Sequence, residues 1–283
     1  MAGYLVAGLL TGAAYGLFAM GFVLVFKGTK VFNLAHGEIG GAGLYASWWL
    51  LGTLPVLLAS LVGILAAAAL GLLVERLLVR RIPEANPLAG VAVTLGLGLT
   101  LAYTEAKLFG FNVKTFPSPV GRGRFQVGDV VVTAPRLAAL IAALAVAGVL
   151  GLLLHRTRAG LATRATTSDL SLARLSGIAV DRARASTWAI GGALSALSAI
   201  LLASVLTFHP LSNTLLLVRA LAAAMLGGLT SITGALLGGL TVGILEAIVI
   251  SRFDTAGLAD LAVFALILGT LLLRPQGFVR VAR

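Results

Sequence analysis

Charged side chains divide the chain into long apolar runs. Residues 1–26 carry no charge, and neither do residues 39–74, 85–104, 137–154, 185–218 and 220–245; a shorter run, 261–273, ends at Arg274. A bilayer-spanning helix needs about 20 largely apolar residues. Most of these runs hold one such helix, and 39–74 is long enough for more than one segment. Thr53 with Pro55, Asn86 with Pro87, and Thr133 with Pro135 each pair a capping residue type with a proline near a first helical turn. The ten-residue alternation of an outer-membrane barrel is absent. The pattern predicts an all-α integral membrane protein, a polytopic helical bundle of about eight or nine membrane segments. It reads as a single transmembrane domain over 1–283. Tyr4 to Phe26 reads as a retained first span, because no basic stretch precedes it as in a signal peptide.

Composition points the same way. Hydrophobic residues make up 59% of the chain and charged ones 11%, more apolar surface than a soluble fold of this size can hide. Lys and Arg number 21 against 10 Asp and Glu, a net charge of +11. These basic residues sit in short loops with no aromatic-interleaved patch, so a membrane-facing origin is favoured and nucleic acid is not expected as a partner. Lys27 and Lys30, then Arg76, Arg80 and Arg81, then the arginines of 156–184, then Arg274, Arg280 and Arg283 mark cytoplasmic segments. That places the N-terminus outside and the C-terminus inside, which requires an odd number of crossings or a re-entrant segment. Residues 105–136 become the main external loop.

Chemistry is sparse. There is no cysteine, and His36, His155 and His209 are far apart, so neither a metal nor a cofactor is expected. No phosphate-binding glycine loop, nucleophile elbow or metalloprotease motif occurs. The reading is a passive conduit without catalytic residues, not an enzyme, that borrows energy from elsewhere.

Three features carry candidate function. Gly8, Gly12 and Gly16 recur on one helix face, and Gly234 with Gly238 and Gly239 with Gly243 repeat that spacing, as in close helix packing in lipid. The Gly227-Gly228 pair is the best candidate for an unwound break beside a pathway. Within 156–184, Thr166 and Asp169 fit a capping box and Gly177 a helix C′ position, predicting a helix of about ten residues. Thr167, Ser171 and Arg174 form its polar face, with Leu170, Leu172 and Ala173 opposite. It fits either a docking knob for a soluble partner or an interfacial helix on lipid. Finally, Asn33-Leu34-Ala35-His36-Gly37-Glu38 places three polar side chains at the entrance to an apolar run. Asn33 caps a helix near the interface there, or the cluster forms a gate. Arg219, Glu246 and Glu105 are likewise flanked by apolar sequence, open to pairing, snorkelling or substrate contact. His209, beside Pro210, reads as a loop residue.

Four blocks together resemble the permease subunits of bacterial branched-chain amino-acid ABC importers, the Liv-type permease family. The first is Gly12, Tyr15, Leu17, Ala19 and Gly21 leading into Asn33–Glu38, similar to the family's N-F-A-H-G element with Leu34 in place of Phe. The second is Gly160, Arg164-Ala165, Asp169, Ala173, Leu175 and Gly177-Ile178, with Ser168 where many members carry an acid. The third runs from Met225-Leu226-Gly227-Gly228 through Ser231 and Gly234-Ala235 to Gly238-Gly239, and the fourth is Arg274-Pro275-Gln276-Gly277-Phe278.

The resemblance implies a subunit of the bacterial cytoplasmic (inner) membrane, surrounded by lipid. Its implied partners are a second homologous permease, two cytoplasmic P-loop ATPases and an external solute-binding protein. Arg164, Thr166, Asp169, Leu170, Ala173, Arg174, Gly177 and Ile178 would couple to the ATPases. Asn33, His36, Glu38, Gly227, Gly228 and Ser231 would line the pathway or gate. Binding-protein contacts would fall on 105–136 and near His209. The implied solute is a branched-chain, hydrophobic amino acid; urea or short amides, or a self-sufficient secondary transporter, are the alternatives.

Overall fold

A computed structural model describes residues 2–82, 86–121, 123–127, 130–253 and 257–273. In chain order the elements are α1 (Ala2–Thr29), α2 (His36–Leu50), α3 (Val56–Leu77), α4 (Pro87–Phe109), β1 (Arg124–Val127), β2 (Val130–Thr133), α5 (Ala134–Arg156), α6 (Arg158–Ser168), α7 (Leu170–Leu175), α8 (Val180–Ala203), α9 (Ser212–Gly227), α10 (Ile232–Arg252) and α11 (Leu258–Leu273). The all-helical expectation holds apart from the β1–β2 hairpin, which is antiparallel with Arg124 opposite Thr133 and Val127 opposite Val130.

Six described helices are long and apolar enough to cross a bilayer: α1, α3 with the turn that follows it, α4, α5, α8 and α10. The α9 helix is apolar but has 16 residues, roughly 24 Å at the α-helical rise, short of a hydrocarbon core about 30 Å thick, and the described part of α11 is likewise apolar. The α2 helix is shorter still at 15 residues.

The first helix is the central post. Its apolar window is 83% buried, against 22% for those of α4 and α5, which present Leu95, Leu99, Ile141 and Leu152 outward as an exposed apolar wall. Glycine lets α10 lie directly against this post. A Cβ on Gly12 would stand 2.6 Å from the Gly239 carbonyl oxygen, and one on Gly239 would meet the backbone of Gly16. Gly8 and Gly243 oppose each other in the same way. The predicted small-residue spacing therefore serves helix packing. On another face, α8 docks through the Ser198 hydroxyl, which donates to the Ala14 carbonyl at 2.7 Å.

Some sequence expectations need correction. Asn86 does cap α4, its Oδ1 accepting from Ala89 N–H at 3.2 Å. Thr53 does not cap α3. Its hydroxyl points back to the Leu50 carbonyl at 3.2 Å, and Pro55 holds the N-cap position. The loop expected over 105–136 is narrower, because α4 continues to Phe109 and α5 begins at Ala134. Glu105 thus belongs to a membrane helix. The Arg274–Phe278 motif, with Arg280 and Arg283, lies outside the described residues.

Candidate functional site

The chain does not enter α2 from the end of α1. Lys30 takes a left-handed conformation, φ 58°, and residues 31–35 turn back along α1. Phe32 packs edge-on against Phe26 and Phe22, with ring centroids 4.9 and 5.7 Å away. The Thr94 hydroxyl of α4 ties this irregular strand down, accepting from Leu34 N–H at 3.2 Å and donating to the Phe32 carbonyl at 2.9 Å. His36 then lies beside the middle of the 28-residue α1, with Nε2 3.3 Å from the Phe18 carbonyl and its ring edge-on to Phe18. Irregular backbone at such depth is stable only where protein surrounds it. This overturns the reading of Asn33 as an interfacial cap. Ala35 is the N-cap residue and makes no side-chain bond, while Asn33 gives its backbone carbonyl to His36 N–H at 3.1 Å. The Asn33 side chain is 1% exposed and its Oδ1 finds no partner in the protein.

Glu38 opens a second layer of buried polarity. Its Oε1 accepts the Thr214 hydroxyl of α9 at 2.6 Å. Glu105 of α4 and Asn213 of α9 face the same side of α2, both buried, around the notch left by Gly41. Asn33, His36 and Glu38 are all buried, with His36 facing α1 and Glu38 facing α9. The sequence pattern missed Thr94, Asn213 and Thr214, single polar residues in apolar runs that offer no spacing signal.

Arg219 is paired. Its Nε donates to Glu246 Oε1 at 3.0 Å and its Nη2 to Asp260 Oδ1 at 2.7 Å. Tyr15 completes the group, with its hydroxyl 2.7 Å from Glu246 Oε2 and its ring 5.9 Å below the guanidinium. The pairing of Arg219 with Glu246 is realised, part-buried, and Asp260 is an unforeseen third member. Beside it lies a cavity of about 200 Å³ between α1, α2, α8 and α9. Leu44, Leu202, Leu206 and Leu216 form its apolar wall, and Asn213, Arg219 and Glu246 its polar margin.

The Gly227-Gly228 pair closes α9 and does not break a helix. Gly228 turns the chain at φ 86° and the Ser231 hydroxyl caps α10, accepting from Gly234 N–H at 2.9 Å. Gly227 packs directly on the Gly234 carbonyl. These residues form a tight helical hairpin, the physical reason for their spacing, and are not beside the buried cluster described above.

On the loop side predicted to be cytoplasmic, the single helix foreseen from Thr166 is two. Thr166 sits inside α6, buried, its hydroxyl bonded to the Thr163 carbonyl at 2.9 Å. Asp169 is extended, φ −153°, and is itself the N-cap of α7, accepting from Leu172 N–H at 2.9 Å. The α7 end matches expectation. Gly177 is left-handed at φ 74°, Gly177 N–H donates to Arg174 and Ile178 N–H to Ala173, the two bonds of a Schellman cap. Ala173 turns inward while Leu172, Arg174 and Leu175 are exposed, so Leu172 belongs to the outer face. Arg164 is exposed on α6. The side chains of Ser168, Leu170 and Ser171 lie outside the described residues.

Residues 4–273 match the model of a family described as the branched-chain amino acid transport system permease component. The chain belongs to this permease family. It is 30% identical to the high-affinity branched-chain amino acid transport system permease protein LivH of Escherichia coli (strain K12), over 96% of this chain and 93% of that one. It is 31% identical to the permease protein BraD of Pseudomonas aeruginosa, over 97% and 94% of the two chains. Among solved structures, PsaBC from Streptococcus pneumoniae in complex with Fab shares the fold, with a TM-score of 0.52, 16% identity, and 96% and 92% coverage. The permease is thus a multi-pass membrane protein and a transport subunit, not a catalytic enzyme. Its candidate residues divide into a knob at α6–α7 and a buried polar seam where α2 meets α4 and α9.

Proposed function

We propose that this permease forms half of the membrane core of an ATP-driven importer for branched-chain amino acids. The cavity beside α9 carries the reading: an apolar wall of leucines with a few polar groups at its margin suits a small amino acid with an aliphatic side chain. Family membership and the names of the relatives agree with it.

In this reading α1–α5 and α8–α11 are nine membrane segments, with the N-terminus outside and the C-terminus inside. The shorter α2 begins beside the middle of α1 rather than at a membrane face, and α9 ends at the tight turn into α10. The α6–α7 knob, with Asp169 and Gly177 fixing its shape and Leu172, Arg174 and Leu175 outermost, docks into a cytoplasmic P-loop ATPase. A second, homologous permease completes the path and a second ATPase sits under it. An external binding protein delivers solute to the 110–133 loop and the α8–α9 connection, which join through paired backbone bonds between Lys114 and Phe208 of 2.8 and 3.0 Å. Transport is rocking of packed helices about the glycine contacts of α1 and α10.

The test is purification of the tagged chain from its native membrane in mild detergent, mass spectrometry of what accompanies it, and leucine uptake by the reconstituted assembly. Two P-loop ATPases, a second permease and ATP-dependent uptake are expected. A single species moving leucine under an ion gradient overturns the reading in favour of a secondary carrier.

A further inference from the structure

Five polar atoms gather around one face of α2 and receive no hydrogen bond from the protein. They are both carboxylate oxygens of Glu105, Oε2 of Glu38, Nδ2 of Asn213 and the hydroxyl of Tyr45. All four residues are more than nine-tenths buried. Glu38, Gly41 and Tyr45 follow one another at the three- and four-residue spacing that puts them on a single helix face. Glu105 and Asn213 reach the same place from α4 and α9. A Cβ on Gly41 would stand 2.5 Å from Asn213 Nδ2 and 2.8 and 3.0 Å from the Glu105 oxygens. Gly41 therefore leaves a notch in the α2 surface that the Asn213 carboxamide and the Glu105 carboxylate close in on.

Buried polar groups in folded proteins are nearly always satisfied, so a converging set of unsatisfied ones calls for a guest. Its chemistry is one-sided. Three carboxylate oxygens wait for donors, and the protein offers only one amide NH₂ and one hydroxyl. A compact cation with several N–H donors complements this set, and a primary ammonium carries three. A metal ion fits less well, since no group of three or more metal-ligating side chains occurs among the described residues. Asn213 and Leu44 also border the apolar cavity of about 200 Å³. Asn213 thus joins the polar cluster to a leucine-lined space of a size to take an aliphatic chain.

We propose that Glu38, Glu105, Asn213 and Tyr45 form an intramembrane site for the α-ammonium group of the transported amino acid, with its side chain in the adjoining cavity. The proposal rests on the importer reading above and gives it a substrate contact within the permease itself. The site lies at the start of α2, where the irregular segment 30–35 lets the helix begin beside the middle of α1. Movement of that segment would carry Glu38 and Gly41 relative to Glu105, opening or closing the notch.

The test uses the whole importer complex in nanodiscs, without binding protein, and measures binding of radiolabelled L-leucine. Two competitors divide its ends: 3-methylbutylamine keeps the ammonium and lacks the carboxylate, and 4-methylpentanoate does the reverse. The amine is expected to displace leucine and the acid is not. Glu105→Gln and, separately, Gly41→Ala, which fills the notch, are each expected to weaken binding of leucine and the amine by about tenfold or more, the scale of one lost charge-assisted bond. The competition on the unaltered complex needs no variant to fold. Displacement by the acid and not the amine, or unchanged affinity in both variants, overturns the proposal. ATP-driven leucine uptake by the same complex, reconstituted in liposomes together with its binding protein, separates the two levels. Uptake by the unaltered complex with unchanged leucine affinity in both variants sinks this site alone, and no uptake by the unaltered complex sinks the importer reading with it.

Discussion

The Thr167 hydroxyl of α6 lies 3.0 Å from the Lys27 carbonyl at the foot of α1 and 2.7 Å from the Thr163 carbonyl of its own helix. The α6–α7 knob is therefore fastened to the helix around which the bundle is built. If the knob transmits ATPase closure, this bond is part of the transmission. Thr167→Val keeps the shape and removes the hydroxyl, at about 1 kcal/mol for one hydrogen bond. We expect normal insertion and ATPase docking in pull-downs, with transport per ATP hydrolysed reduced several-fold. An unchanged ratio of transport to hydrolysis would show that the contact is only structural.

Glycine substitutions should split by sign. At Gly239 an added methyl collides with the Gly16 backbone, which cannot move as a side chain can. Gly239→Ala is expected to cost about 1–3 kcal/mol as overpacking does. At Gly96 on the exposed wall of α4, nothing lies within 4 Å of the new Cβ. There Gly96→Ala should stabilise by roughly 0.5–1 kcal/mol through helix entropy. Thermal unfolding in one detergent reads both, and a shared direction would contradict the packing account.

How much of this was legible beforehand follows physical lines. Charge gaps mark where helices must lie because lipid tolerates few charges, and α1, α5, α8 and α10 fall within or across them. Gly177 and the Gly8-Gly12-Gly16 face were readable because each reflects a local steric need. The start of α2 was not, since residues 31–50 are apolar throughout apart from the 33–38 cluster, and hydropathy cannot see a reversal inside such a run. Thr166-x-x-Asp169 also fits two frames, a capping box with Thr166 first or a new helix with Asp169 first, and only tertiary packing of Thr166 chooses. Asn213 is silent in sequence because its neighbours Gly41 and Glu105 come from distant helices.

A second fastening holds α3 to the start of α8. Glu75 is fully buried and takes two bonds from Arg80, 2.8 and 3.3 Å, while Arg80 also reaches the Asp181 carbonyl at 3.2 Å. The Asp181 carboxylate stands further off, at 3.7 Å, and is exposed. Arg80→Ala strands a buried carboxylate and should cost about 2–4 kcal/mol, somewhat below a fully buried pair because Arg80 itself is partly in water. Asp181→Ala should cost under about 1 kcal/mol, as surface ion pairs do. Equal losses of thermal stability in the two variants would mean that the Glu75 contact does not hold α3 in place.

The Arg219 group allows a sharper comparison, because one cation there serves two anions. Arg219→Gln leaves both Glu246 and Asp260 without their partner. Glu246 is only 13% exposed, so the loss should approach the roughly 3–5 kcal/mol seen when a buried pair is broken from one side. Glu246→Gln is milder, since Arg219 keeps Asp260 at 2.7 Å and the Tyr15 hydroxyl can still bond the amide. Arg219→Lys should resemble Arg219→Gln more than the native residue, because a single ammonium cannot reproduce two directed bonds and the contact with the Tyr15 ring. The double variant Arg219→Gln with Glu246→Gln removes a stranded charge and should recover stability relative to Arg219→Gln alone, giving a coupling of about 0.5–3 kcal/mol in a thermal double-mutant cycle. Strict additivity of the two single changes would show that the arginine and the glutamate, although in contact, do not depend on each other.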